Sequence, residues 1–188
     1  MQFGNKVFRT FNNVLTEEQQ HTVAGFLSQR RWSFDNWSAH EADKGVLCWS
    51  LWGLEEDEFF HTTFKQRIVE LTGINYTHTR IYANGQSFGQ DGVFHIDAND
   101  SRAHTFLYYA TPLDPLDVYE YGGETQFIQD NGELYHIYPF TNTAVLFDGR
   151  IWHRGMGPNK WTKHLRTSVA FKLYLPSRER PRTRNSNI

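Results

Sequence analysis

His95 and Asp97 stand two residues apart, and His153 follows far downstream in Trp152-His153-Arg154-Gly155. Two imidazoles and one carboxylate form a donor set for a divalent transition metal. Bound on one side of the ion they leave other positions open, the arrangement that non-heme iron sites use. In an extended segment, side chains at i and i+2 point the same way, so His95 and Asp97 can serve one ion together. A His-x-Asp pair arises easily from composition alone, so its meaning depends on what surrounds it.

Arg166 opens an alternating segment. Arg166, Ser168, Ala170, Lys172 and Tyr174 share one face; Leu165, Val169, Phe171, Leu173 and Leu175 share the other. The continuous apolar face should pack under helices, which turns Arg166 and Ser168 toward the interior. A buried guanidinium needs an anion. A small-molecule carboxylate suits its two-pronged geometry, and an internal Asp or Glu is the alternative partner.

The elements that must position these groups change character along the chain. Thr16-Glu17-Glu18-Gln19 is a capping box, followed by Val23, Phe26 and Leu27 at helical spacing; the helix should end near Arg30. A strand is expected over Val46 to Trp52. A second helix is expected over Glu56 to Leu71, with Phe59, Phe60, Phe64, Ile68 and Leu71 on its apolar face and Gly73 as its stop. Beyond Gly73 the period becomes two. Strands are expected near 75–83, 92–97, 103–111, 123–129, 133–138, 143–147, 151–154 and 165–175. Turns are expected at Asn84-Gly85, Gly89, Asp91-Gly92, Asp130-Asn131-Gly132 and Asp148-Gly149. Helices first and many short strands after imply a mainly β sandwich with flanking α structure.

At 188 residues the chain suits one domain, expected over 1–176, with a polar, disordered tail over 177–188 that carries Arg178, Arg180, Arg182 and Arg184. Six Trp, nine Tyr and 15 Phe favour β structure with large buried contacts. A net charge of −2 gives no drive toward nucleic acid or an anionic membrane. The single cysteine, Cys48, excludes an intrachain disulfide and reads as a buried, inert thiol. Met1 to Arg9 has no apolar leader core and no stretch is long enough to span a bilayer, so a cytoplasmic protein is expected.

From Tyr82 to Tyr174 the sequence resembles the Fe(II)/2-oxoglutarate dioxygenases, in particular their prolyl 4-hydroxylase-like branch. The matching pieces come in family order: Tyr82 with Asn84-Gly85, His95-Ile96-Asp97, Thr105-Phe106-Leu107-Tyr108-Tyr109, Gly122-Gly123-Glu124-Thr125, Trp152-His153-Arg154 and Arg166-Thr167-Ser168. The resemblance implies a double-stranded β-helix, or jelly-roll, core braced by the N-terminal helices. It implies His95, Asp97 and His153 as the Fe(II) ligands and catalytic centre. It implies 2-oxoglutarate as co-substrate, paired through its distal carboxylate with Arg166, with the Tyr109 hydroxyl as second donor. Tyr82 and Thr105 would also face the co-substrate, and Thr125 and Ser168 would line its pocket. Some members use a Lys at the position of Lys163 instead of Arg166.

The activity implied is hydroxylation of a C–H bond by O₂, with succinate and CO₂ as co-products and ascorbate as support. A prolyl or other residue of a peptide or protein is the expected substrate. Nucleic-acid partners are disfavoured by the charge and by the acidic, aromatic stretch Pro112 to Tyr121. That stretch and the loop from Asn84 to Gly92 are candidates to flank the substrate. The alternatives are an oxygenase of a nucleic-acid base or small molecule, and a metal-binding jelly roll without catalysis.

Overall fold

The computed structural model describes residues 3–29, 32–37 and 46–176. The Arg-rich tail lies outside the described residues. The order is β1 (Phe8–Phe11), α1 (Glu17–Gln29), β2 (Ser33–Trp37), β3 (Leu47–Leu51), a 3₁₀ turn (Leu54–Glu56), a π-helical turn (Phe59–Phe64) and α2 (Lys65–Thr72). The second half runs β4 (Thr77–Gln86), β5 (Ala103–Tyr109), α3 (Val118–Tyr121), β6 (Thr125–Ile128), β7 (Leu134–Ile137), β8 (Thr143–Asp148), β9 (His153–Gly155) and β10 (Arg166–Tyr174).

Two antiparallel sheets face each other. The larger has the order β1-β8-β5-β10-β4-β3-β2, the smaller β7-β6-β9. The capping box forms as the sequence implies: Thr16 N–H donates to Gln19 Oε1 at 3.0 Å, and Gln19 N–H to Thr16 Oγ1 at 3.3 Å. Gly73 ends α2 at φ 76°, in the left-handed region a side chain would resist, and its N–H caps Val69 O at 2.8 Å.

Strand parity decides what each face of the large sheet buries. Val169, Phe171 and Leu173 of β10 join Ile81, Ala83, Phe106, Tyr108 and Leu146 in a core with Val23, Phe60, Phe64 and Ile68 from the helical side. Phe64 sits 4.7 Å from Phe171 between ring centres, so helix and sheet interlock through aromatic contacts. The opposite face supplies Tyr82, Leu107, Tyr109, Val145, Phe147 and Ala170, packed against Phe127 of the small sheet. The sandwich is a jelly roll with its helices on one outer face, as expected.

Three expectations need correction. The helix expected over 56–71 is three pieces: a 3₁₀ turn, a π-helical turn and α2. Asn84-Gly85 is no turn but part of β4, which runs on to Gln86. A Cβ at position 85 would run into the Leu165 side chain, so glycine here serves close packing. Residues 92–97 make no strand; they pair at separate points, Gly92 N–H with Gly155 O at 2.8 Å, His95 with His153 in both directions at 2.9–3.0 Å and Asp97 N–H with Gly149 O at 2.8 Å. Strands β1 and β2 and the short α3 were not legible in the alternation; β1 and β2 are edge strands exposing polar side chains.

Candidate metal centre and its pocket

His153 opens β9 opposite Phe127 of β6. Its ring stacks on Phe127 at 5.9 Å and meets Phe147 edge-on at 4.6 Å, so the imidazole is wedged in the sandwich and 6 % exposed. The segment carrying His95 and Asp97 is pinned to β9 and to the turn at Gly149 by the point contacts above. Together these place ligand-capable atoms of His95, Asp97 and His153 within 4.8 Å of one another. His95 Nε2 lies 3.8 Å from Asp97 Oδ1, and His153 Nε2 lies 3.7 Å from Asp97 Oδ2.

Backbone carbonyls set the tautomers. His95 Nδ1 is 2.9 Å from Val93 O and His153 Nδ1 is 2.9 Å from Ile151 O. A carbonyl only accepts, so each Nδ1 carries a hydrogen, and in the neutral ring Nε2 keeps its lone pair on the side of Asp97. Burial pulls the His153 pKa down to about 4 against the opposing pull of Asp97, so the ring is neutral near pH 7. Burial pushes the Asp97 carboxyl up. The charges of Lys172 and His153 and hydrogen bonds from Lys172 and Thr105 outweigh it, holding the group ionised well below the usual carboxylate range. A neutral His153 imidazole and an ionised Asp97 carboxylate are in the forms that a divalent ion takes up.

A cavity of about 400 Å³ opens beside this cluster and runs to Arg166. Arg166 is 2 % exposed. Its acceptors are all neutral: Gly123 O, Gln86 Oε1 at 2.8 Å and Thr125 Oγ1 at 2.9 Å. A guanidinium has five N–H groups, and these contacts use three. Gly123 lets the arginine stem pass, since a Cβ there would stand 3.0 Å from Arg166 Cδ. Two residues along β10, the buried Ser168 hydroxyl lines the same cavity with no hydrogen-bond partner among the described residues. A buried cation hydrogen-bonded only to neutral acceptors, with an orphaned hydroxyl beside it, calls for an anion of carboxylate size. Lys163 is exposed and does not line the cavity.

The remaining sequence candidates divide. Thr125 accepts from Arg166 and from the Tyr109 hydroxyl at 2.7 Å, which leaves the Thr125 hydrogen free to donate. Tyr109 is wholly buried, its hydroxyl on Thr125 and its ring 5.7 Å from the Arg166 guanidinium, so it braces the pocket from behind. Thr105 donates to Asp97 Oδ2 at 2.5 Å and so belongs to the metal-ligand end of the cavity. Tyr82 forms a wall with Trp52, 4.8 Å between ring centres, and Arg80 lies 4.9 Å over the Tyr82 ring. Of the two loops expected to flank substrate, Gly92 and the β4 residues Asn84 and Gln86 line the cavity, and nothing from 112–121 does.

Sequence reasoning placed Lys172 on the inward face without a role, and assigned nothing to Gln86, Trp52 or Arg80. The alternation that found Arg166 and Ser168 also contained Lys172. Gln86 was hidden because Asn84-Gly85 reads as a turn. Cys48 is buried beside the cavity with its thiol pushed up to about 11, first by burial, so it is an inert wall residue.

No protein-family model matches the chain, and no curated protein matches its sequence. Solved structures do match in fold. A prolyl-4-hydroxylase from Pseudomonas putida aligns at TM-score 0.66 and 11 % identity, over 92 % of this chain and 94 % of that one. A prolyl hydroxylase from Trichoplax adhaerens, solved with a hypoxia inducible factor peptide fragment, aligns at TM-score 0.66 and 17 % identity, over 89 % and 83 %. HygX from Streptomyces hygroscopicus, solved with nickel and 2-oxoglutarate, aligns at TM-score 0.64 and 10 % identity, over 92 % and 84 %. The chain therefore has the jelly-roll fold of the 2-oxoglutarate/Fe(II) oxygenases, prolyl hydroxylases among them. No helix among the described residues is long and apolar enough to cross a membrane.

Proposed function

We propose that this protein is an Fe(II)- and 2-oxoglutarate-dependent oxygenase that hydroxylates a C–H bond of a peptidyl residue, proline first. The observation that carries the reading is the pairing, in one cavity, of the His95-Asp97-His153 cluster with a buried Arg166 that donates only to neutral acceptors among the described residues. Iron with 2-oxoglutarate and O₂ would supply the oxidising chemistry, releasing succinate and CO₂.

The protein's part is placement and exclusion of water. His95, Asp97 and His153 would hold the metal on one side. Arg166 would grip the distal carboxylate of 2-oxoglutarate with its two remaining N–H groups, and Ser168 and Thr125 would each donate a hydroxyl hydrogen. Gln86 keeps the guanidinium in plane, and Tyr109 keeps Thr125 in place. Phe127 and Phe147 shut water out behind His153. Trp52, Tyr82 and Arg80 form the wall on which a substrate would lie. The prolyl assignment draws its support from the prolyl hydroxylases among the fold relatives, one of them bound to a peptide.

A small-molecule substrate is the second reading, favoured by the likeness to HygX, also solved with hygromycin B bound. One experiment separates the two: mass spectrometry of cell-lysate proteins after incubation with the enzyme, Fe(II), 2-oxoglutarate and ascorbate. The proposal expects a gain of one oxygen on specific prolyl residues. Turnover that responds to lysate metabolites and leaves every protein unmodified would replace it with the second reading.

A further inference from the structure

Lys172 is a buried charge in the cavity that the proposed chemistry does not use. It leaves β10 on the same face as Arg166, and the register sets it opposite Thr105 of β5. Its ammonium pairs with Asp97 Oδ2 and donates to Thr105 Oγ1 at 3.2 Å. Thr105 in turn donates to the same Asp97 oxygen at 2.5 Å. Side-chain exposure is only 15 % for Lys172 and 11 % for Asp97, so this pair is held in place rather than exchanging with water. A carboxylate oxygen has two lone pairs, and Oδ2 meets two donors. Oδ2 also lies 3.7 Å from His153 Nε2 but has both lone pairs engaged, whereas Oδ1, 3.8 Å from His95 Nε2, accepts no hydrogen bond among the described residues.

We infer that Lys172, with Thr105, is a positioning residue that holds Asp97 as a one-oxygen ligand, Oδ1 toward the metal. The inference builds on the metal and co-substrate reading above. It has a consequence for the co-substrate. A carboxylate that swung to bind through both oxygens would take up one of the positions that 2-oxoglutarate needs for its own two-point attachment. Lys172 would thus keep the metal open to co-substrate from a place that touches neither.

The test uses Co(II), whose visible absorption reports coordination number and which does not oxidise during the measurement. Wild type, Lys172→Met, Lys172→Arg and Thr105→Val are each titrated with Co(II) and then with 2-oxoglutarate. For Lys172→Met the expected result is Co(II) affinity equal to or above wild type. The Co(II) spectrum should shift toward higher coordination before co-substrate is added, and 2-oxoglutarate affinity should fall at least tenfold. Thr105→Val should move the same way by less, and Lys172→Arg should restore the wild-type spectrum. If Lys172→Met fails to fold, Thr105→Val carries the test alone. A Lys172→Met protein that binds 2-oxoglutarate within twofold of wild type would overturn the inference. So would parallel loss of Co(II) and 2-oxoglutarate binding that Lys172→Arg does not repair, since that is a purely structural lysine. A wild-type protein that binds no Co(II), or binds it without responding to 2-oxoglutarate, would instead overturn the site reading itself.

Discussion

Arg166 and Lys172 leave the same face of one strand, six residues apart, and stand toward opposite ends of a single cavity. The strand spans roughly 20 Å between them. Among the described residues Arg166 donates only to neutral acceptors, whereas Lys172 is paired with Asp97. The guanidinium at one end therefore has no carboxylate hydrogen-bonded to it among the described residues, and the ammonium at the other already has one that a metal can share.

Removing Asp97 strands Lys172. In the metal-free protein Asp97→Ala should cost about 3–5 kcal/mol, because a buried ammonium loses its only carboxylate among the described residues. For a chain of this size that is a fall in Tm of roughly 6–20 °C. His95→Ala leaves no stranded charge and should cost far less. Both should lose metal binding. Thermal unfolding of the two metal-free variants checks this, and equal Tm values would contradict it.

Arg166→Ala should raise the KM for 2-oxoglutarate by about 100-fold, the loss of a charge-assisted, two-point contact. Lys163→Ala should leave it unchanged, since Lys163 is exposed and away from the cavity. Steady-state turnover of the two variants decides between them; the reverse pattern would transfer the role to Lys163.

Ser168 separates binding from stability. Its hydroxyl is buried without a partner among the described residues, so Ser168→Ala should change stability by less than about 0.5 kcal/mol, or raise it. A hydrogen bond to a charged ligand is worth about 1.5–3 kcal/mol, so affinity for 2-oxoglutarate should fall at least tenfold. Urea unfolding and calorimetric titration of one variant give both numbers. Unchanged affinity would remove Ser168 from the binding site.

Acid should weaken the metal-free protein in a defined window. Burial pulls His153 to about 4, and pulls His104 below its ordinary 6.5 against the opposing charge of Asp148. Both rings then take up protons more readily in the unfolded chain. Stability is fully present above pH 6.5 and declines as pH falls toward the folded values. Asp97, held low, adds a further loss only below about pH 4. The Tm should drop steadily from pH 7 to pH 5, and His104→Gln should flatten the slope. A Tm that rises on acidification would contradict this.

Much of this arrangement was legible in the residues because two periodicities carry it. The capping box located α1, and alternation over 165–175 placed Arg166, Ser168 and Lys172 on one face before any contact was known. What was not legible depended on partners distant in sequence. Residues 92–97 alternate like a strand, yet they are held at separate points by Gly155, His153 and Gly149, so parity was not what aligned His95 with Asp97. Tyr109 lies on the inward face as its parity requires, but its hydroxyl is held by Thr125, sixteen residues on. Gly85 carries a turn signature, and the Leu165 and Trp32 side chains packed over it show why the strand takes glycine there.

The most direct measurement of the central claim is succinate release from 2-oxoglutarate by purified protein with Fe(II), O₂ and ascorbate, with and without EDTA. The account predicts slow succinate formation even without substrate, abolished by EDTA, restored by Fe(II) and not by Mg²⁺, and absent in His153→Ala. Succinate formation that persists in chelator, or that His153→Ala retains in full, would contradict it. So would its complete absence from the wild-type protein with Fe(II), both without substrate and with cell lysate added.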